Sequence, residues 1–167
     1  MTPLHDGRQV LIRALDGRDA AALTAALDHA DPMDLRRRFM GVPPPASYLV
    51  GQLKRADGVH DLVLGAFDGA DRLIGVAQFD RVDNEPTAEV AIEIAKDWQH
   101  DGLGTVMLTR LAELARDHGI HEFTATYYAD NLPIRRLLSD IGRVVTSGYE
   151  MGEGHMRLSL DDMPEAS

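Results

Sequence analysis

Apolar positions along this chain follow two periods, and the switches between them mark out the elements. Residues 8–15 (RQVLIRAL) read as a first strand. Asp16, with Asp19 three residues on, then opens the Ala/Leu-rich stretch 17–30 (GRDAAALTAALDHA) as an N-cap with acidic first-turn support. Residues 31–41 (DPMDLRRRFMG) predict a second, shorter helix. Residues 42–47 (VPPPAS) must be a loop, because consecutive prolines fix φ and remove backbone donors. A further short helix follows around 47–55 (SYLVGQLKR).

The period then falls to two. Residues 60–67 (HDLVLGAF) and 72–80 (RLIGVAQFD) are β-rich runs joined through DGAD, a hairpin signal built on Asp68 and Gly69. Residues 86–95 (PTAEVAIEIA) give a third strand of this series. Leu103, Met107, Leu111 and Leu114 return to helical spacing, with Gly119 where a left-handed cap belongs. Residues 121–129 (HEFTATYYA) predict another strand and 131–140 (NLPIRRLLSD) a short helix with Pro133 in its first turn. Residues 144–160 predict a closing hairpin around Gly152 and Gly154. The order β-α-α-β-β-β-α-β-α-β-β is an antiparallel meander followed by one helix crossover. It defines an α+β fold or mixed α/β layer, not a doubly wound sheet.

Length and composition narrow the picture. The 167 residues suit one domain, expected to span 1–167, with a core that needs no staples. The chain has no cysteine, which excludes disulfides, thiolate catalysis and thiolate metal sites. The start MTPLHDGRQV has neither a basic nor an apolar character, and no apolar run approaches the roughly 20 residues that span a bilayer. The expected location is the cytoplasm. Lys and Arg number 17 against 27 Asp and Glu, a formal charge of -10, which repels phosphate backbones and favours cationic partners. The seven histidines show no metal spacing, and no metal is expected.

The stretch 95–119 (AKDWQHDGLGTVMLTRLAELARDHG) carries the chemistry. A strand that runs through glycines into a helix presents unpaired N–H groups at the positive end of the helix dipole, an arrangement that binds phosphates. Gly102 and Gly104 let a ligand approach the main chain. A dinucleotide fingerprint would need glycine at 107, which is Met, and a P-loop would need a lysine between Gly104 and Thr105.

The run Gln99-His100-Asp101-Gly102-Leu103-Gly104 resembles the pyrophosphate loop of the GNAT acyltransferase superfamily, Gln/Arg-x-x-Gly-x-Gly/Ala, and the order of elements is similar along nearly the whole chain. AEVAIEIAKDWQHDGLG, IRALDGRDAAAL and RRRFMG look like the GNAT domain of bacterial protein lysine acetyltransferases. The resemblance implies a central, mostly antiparallel twisted sheet with helices on both faces and a splayed strand pair holding acetyl-CoA as cosubstrate. It implies that the backbone of Gln99, His100, Asp101, Gly102, Leu103, Gly104 and Thr105 holds the pyrophosphate. Ile92, Glu93 and Ile94 would pair with the pantetheine arm, and Asn131 would lie beside it, cap its helix, or do both.

An amine attacks a thioester only as the free base, and a lysine amine has an ordinary pKa of about 10.4, so a base is required. Glu89 matches the family's general base, and it shares a strand face with Glu93, the substitute candidate. Desolvation in an apolar strand would raise the pKa of Glu89. Leu138 stands where many relatives carry a tyrosine that protonates the thiolate, and Gly142-Arg143 replaces the family's Gly-Phe; Tyr127, Tyr128 and Tyr149 are the nearby phenols. Trp98 is expected to anchor the loop, with His100 facing solvent. Three functions follow: N-acetylation of protein lysines; N-acetylation of a small amine such as an aminoglycoside, polyamine or amino acid; or non-catalytic sensing of acyl-CoA. The oligomeric state stays open, with a homodimer among the options.

Overall fold

The structure, a computed structural model, describes residues 1–163. In chain order the elements are β1 (Thr2–Pro3), β2 (Gln9–Ala14), α1 (Ala20–His29), α2 (Pro32–Phe39), α3 (Ala46–Arg55), β3 (Asp61–Phe67), β4 (Leu73–Arg81) and β5 (Thr87–Ile94). They continue as α4 (Leu103–Asp117), β6 (Glu122–Tyr128), α5 (Leu132–Ile141), β7 (Arg143–Glu150) and β8 (Glu153–Ser159). The strands form one sheet in the order β1-β2-β3-β4-β5-β6-β8-β7. Every neighbouring pair is antiparallel except β5 and β6, which α4 connects as a parallel crossover. This is the expected mixed sheet with helices on both faces.

Local chemistry explains the helix starts. Asp16 and Asp19 form a reciprocal capping box around the 3-10 turn Gly17–Asp19, from which α1 continues. Asp31 caps α2 by accepting from the amides of Met33 at 2.8 Å and Asp34 at 3.3 Å, ahead of Pro32 in the first turn. The proline loop is shorter than 42–47, because Ala46 and Ser47 already belong to α3 and Pro45 sits at its N-cap.

Two hairpins differ from the sequence expectation. The β3–β4 connection closes through the Asp68 amide and the Arg72 carbonyl at 3.0 Å, with Asp71 rather than Gly69 in the left-handed region at φ 57. The β7–β8 turn is Met151-Gly152, both with positive φ, the backbone that suits a two-residue hairpin. Gly154 lies inside β8, where a side chain would strike the ring of Tyr127. The two-residue strand β1 leaves no periodic signal; its pairing of Thr2 with Val10 adds the sheet's first edge.

Two apolar layers flank the sheet. Met107, Leu108 and Leu111 of α4 pack with Ala77, Phe79 and Phe123 on one face. Leu23 of α1 and Leu49 and Leu53 of α3 pack with Phe67 and Val76 on the other. Fully buried side chains such as Phe79, Phe123 and Leu111 each contribute about 1.5–3 kcal/mol from burial. The first layer fixes where α4 begins, and hence where the loop before it sits.

Candidate functional site

The loop between β5 and α4 is held from three sides. Trp98, 7% exposed, ends the 3-10 turn Lys96–Trp98, and Arg8 lies over its ring at 3.8 Å. The same guanidinium bonds the Asp101 carboxylate at 2.7 Å, so that acid is paired beside the N-terminal end of α4. Gln99 donates from Nε2 to the Ile94 carbonyl at 2.9 Å and to Asp34 at 3.0 Å, tying the loop to β5 and α2.

Gly102 is the N-cap of α4 with φ 87, a left-handed conformation that favours glycine, and no side chain caps it. The first bond of the helical ladder runs from the Val106 amide to the Gly102 carbonyl at 3.1 Å. The amides of Leu103, Gly104 and Thr105 precede that ladder at the positive end of a fifteen-residue helix dipole. Leu103 itself is 1% exposed, its side chain in the core, so only its main chain faces the loop. Exposed His100 sits at φ 69 on the cleft wall. The Gln99 amide closes the preceding 3-10 turn on Lys96 at 3.5 Å, which removes it from the expected set of free donors.

Next to this loop the sheet unzips. β5 and β6 pair only as Thr87↔Glu122, Ala88↔Phe123 and Glu89↔Thr124, after which they part. Ile92, Glu93 and Ile94 keep β4 on one side, at Ala77, Val76 and Gly75, and have no strand on the other. The gap opens a cleft of about 970 Å³ through the sheet, bordered by Ile92, Gly104, Thr105, Tyr127, Asn131 and Leu138. Asn131 heads α5 without a side-chain cap bond, which leaves its amide for a ligand. Leu138, at the position where many relatives carry a tyrosine, is buried at 2% exposure. Of the three nearby phenols, Tyr127 lines the cleft; burial and the neighbouring Tyr149 hold its pKa above the ordinary value.

Cross-strand register places the carboxylates. Asp80 stands opposite Glu89, Gln78 opposite Ala91 and Val76 opposite Glu93, so all six residues share the sheet face turned to α1–α3. Glu89 is exposed at the point where the strands separate. The desolvation expected for it falls instead on Glu93, whose carboxyl is raised by burial and by Asp34 and lowered by Arg38. Glu93 lies near Asp34 and Arg38 of α2, whereas Glu89 is exposed.

A second hollow adjoins the cleft on that face. It has a volume of about 640 Å³ and lies beneath α1 and α3, against β3 and β4. Arg38, Gln78, Asp80 and Glu93 border both spaces. Of these four, sequence reading named Glu93 and missed Arg38, Gln78 and Asp80; the run RRR looks like a charged helix face. Arg38 stands three residues after Leu35 and beside Phe39, a spacing that turns it toward the sheet. Among the described residues no cluster of three or more His, Asp or Glu could hold a metal, and no helix is long and apolar enough to cross a membrane.

The cleft thus combines a glycine-entered helix with a parted parallel strand pair, and comparison with known proteins gives the family. A model of the acetyltransferase (GNAT) domain matches residues 9–144, and the chain belongs to that family. It is an N-acetyltransferase with acetyl-CoA as cosubstrate. An acetyltransferase of Pseudomonas aeruginosa is 31% identical over 145 residues, covering 84% of this chain and 78% of that protein. The GNAT domain of S. lividans PAT has the same fold, with a TM-score of 0.86 at 23% identity over 95% of both chains. The structure of yncA from Salmonella typhimurium with its cofactor acetyl-CoA matches with a TM-score of 0.73 at 24% identity, over 91% of this chain and 94% of that one.

Proposed function

We propose that this chain acetylates a small amine that enters from the α1–α3 side of the sheet, with Glu89 as general base. The carrying observation is the coincidence of three features at one gap: the parting of β5 from β6, the carboxylate of Glu89 at that point, and a hollow on the acceptor face. In this reading the amides of Leu103, Gly104 and Thr105 hold the diphosphate of acetyl-CoA. The free edge of Ile92, Glu93 and Ile94 takes the pantetheine arm as a missing strand would, and Asn131 flanks it. Gln99 and Asp101 shape the loop, and His100 borders the cleft.

The amine nitrogen attacks the thioester carbonyl, forming the N–C bond as the C–S bond breaks. Glu89 accepts the proton the amine loses, directly or through one water. The leaving thiolate needs a proton in turn. Tyr127 is the cleft phenol, kept protonated by burial and by Tyr149, that can supply it in place of the apolar Leu138.

A small amine is favoured because the hollow is far larger than one lysine side chain requires. Lysines of other proteins form the second reading, favoured by the formal charge of -10 and by the carboxylates at the mouth. The test is Glu89→Gln. Turnover is expected to fall about 100- to 10,000-fold, while calorimetry shows unchanged acetyl-CoA affinity. Retained turnover in that variant, with loss in Glu93→Gln, would transfer the role to Glu93. Incubation with acetyl-CoA against an amine library and a cell lysate then separates the two acceptor classes by which products gain the acetyl mass.

A further inference from the structure

Arg38 differs from its two neighbours in the arginine run. Arg36 and Arg37 are exposed on α2, whereas the Arg38 guanidinium is buried beneath the helix. Its Nη2 donates to the Gln78 side-chain oxygen at 2.6 Å, and Gln78 in turn donates to Asp80 at 2.9 Å. Nε and Nη1 are buried with no hydrogen-bond partner among the described residues. Asp34, on the same helix, is engaged by Arg37 at 3.8 Å and by Gln99. Glu93 and Asp80 favour the arginine's charge through space, but neither forms an ion pair with it. A buried cation with unmade hydrogen bonds is costly, and a fold retains one where a ligand completes it.

The position says what that ligand carries. Arg38 stands where the through-sheet cleft meets the hollow under α1 and α3. A planar fork of N–H donors matches a carboxylate. Beyond it the hollow is walled by Leu23, Leu27, Leu49, Leu53, Val63 and Val76, which suit an apolar body. On the other side Asp80, Glu89 and Glu93 line up along β4 and β5, which suits an ammonium. A molecule with a carboxylate and an amine on one carbon and an apolar side chain fits all three.

We propose that Arg38 is a specificity-determining residue that binds the acceptor's carboxylate, and that the acceptor is an α-amino acid with an apolar side chain. This rests on the reading of the cleft as an amine acetylation site. The α-amine forms the new N–C bond with the acetyl carbon, coenzyme A leaves as the thiol, and the product is an N-acetylamino acid. No oxidant or further reactant enters the balance. Polyamines and other acceptors without an anionic group lack the partner that Arg38 requires.

The test uses matched pairs that differ by the carboxylate alone: L-phenylalanine against phenethylamine, and L-leucine against isoamylamine. With the wild-type chain and acetyl-CoA, kcat/KM is expected to favour each amino acid by roughly 100-fold. Arg38→Gln is expected to remove most of that preference by lowering the amino-acid value, with acetyl-CoA affinity kept and Arg38→Lys recovering part. Equal wild-type rates within each pair, or equal losses for both members in Arg38→Gln, would overturn the proposal. Calorimetry of the same pairs on the wild-type chain loaded with coenzyme A gives the same comparison without turnover or a variant; no heat difference there also overturns it. Transfer to lysine peptides or amines without the carboxylate preference defeats this inference and leaves amine acetylation standing. No transfer to any amine defeats both.

Discussion

Main-chain amides of Leu103, Gly104 and Thr105, proposed to hold the diphosphate, stand at one end of the through-sheet cleft, while the hollow under α1 and α3 is walled by side chains from helices and strands far apart in sequence. The first region draws its chemistry from the backbone of one continuous loop. Side chains can vary around it provided the glycines remain. The second draws its chemistry from side chains such as Leu23, Arg38, Leu53 and Gln78, so its selectivity can change with single substitutions while the fold persists. In the proposed reading one region would take a feature common to every coenzyme A ester, and the other whatever its walls are shaped to accept.

That division can be broken from either side. The largest effect is expected for Gly102→Val, which forces a β-branched residue to φ 87 and brings its Cβ to 3.0 Å from His5. Strain of about 1–3 kcal/mol corresponds to roughly a 10- to 100-fold loss of acetyl-CoA affinity in calorimetry. Gly102→Asn is expected to lose less, since asparagine tolerates the left-handed region. Unchanged affinity in both would remove the loop from the site.

An intermediate effect is expected on the acceptor side. Ala26 lines the hollow from α1, and Ala26→Phe fills it. The kcat/KM for the acceptor is expected to fall roughly tenfold, about what misfit in an apolar pocket costs, with acetyl-CoA affinity unaltered. A parallel loss of acetyl-CoA binding would show that the two regions do not act separately.

The smallest effect concerns Glu93, between the regions. Burial and Asp34 raise its carboxyl above the ordinary 4.5, against the pull of Arg38. The folded chain therefore holds that proton more tightly than the unfolded chain, and stability falls as pH rises from 4.5 through the raised folded value. Glu93→Gln cannot ionise. It is expected to melt above the wild type at pH 8, with the gap closing as pH approaches 4; a gap independent of pH would sink the assignment.

The same division explains how far the sequence could be read. The glycine-entered start of α4 was legible because its glycines stand at fixed spacing on contiguous residues ahead of a helical repeat. The Trp98 anchor and the β5–α4–β6 order were legible for similar local reasons. Arg8 closing over Trp98 was not, since the groups its guanidinium bonds there, the Asp97 carbonyl and the Asp101 carboxylate, lie 89 and 93 residues away. The burial of Glu93 beside Asp34 and Arg38 and the exposure of Glu89 depend on tertiary packing that strand periodicity does not encode. Arg38 was masked by its neighbours. Counting helical positions from Leu35 and Phe39 would have exposed it, but its contact with Gln78 spans 40 residues and appears only in three dimensions.

The short seam between β5 and β6 also governs how the two halves of the sheet communicate. Three residue pairs join β1–β5 to β6–β8–β7, and beyond them α4 carries the connection. A molecule lodged in the gap adds contacts to both halves at once. A bound molecule there would join the two panels at a second place, where the strand pairing of β5 and β6 has already ended.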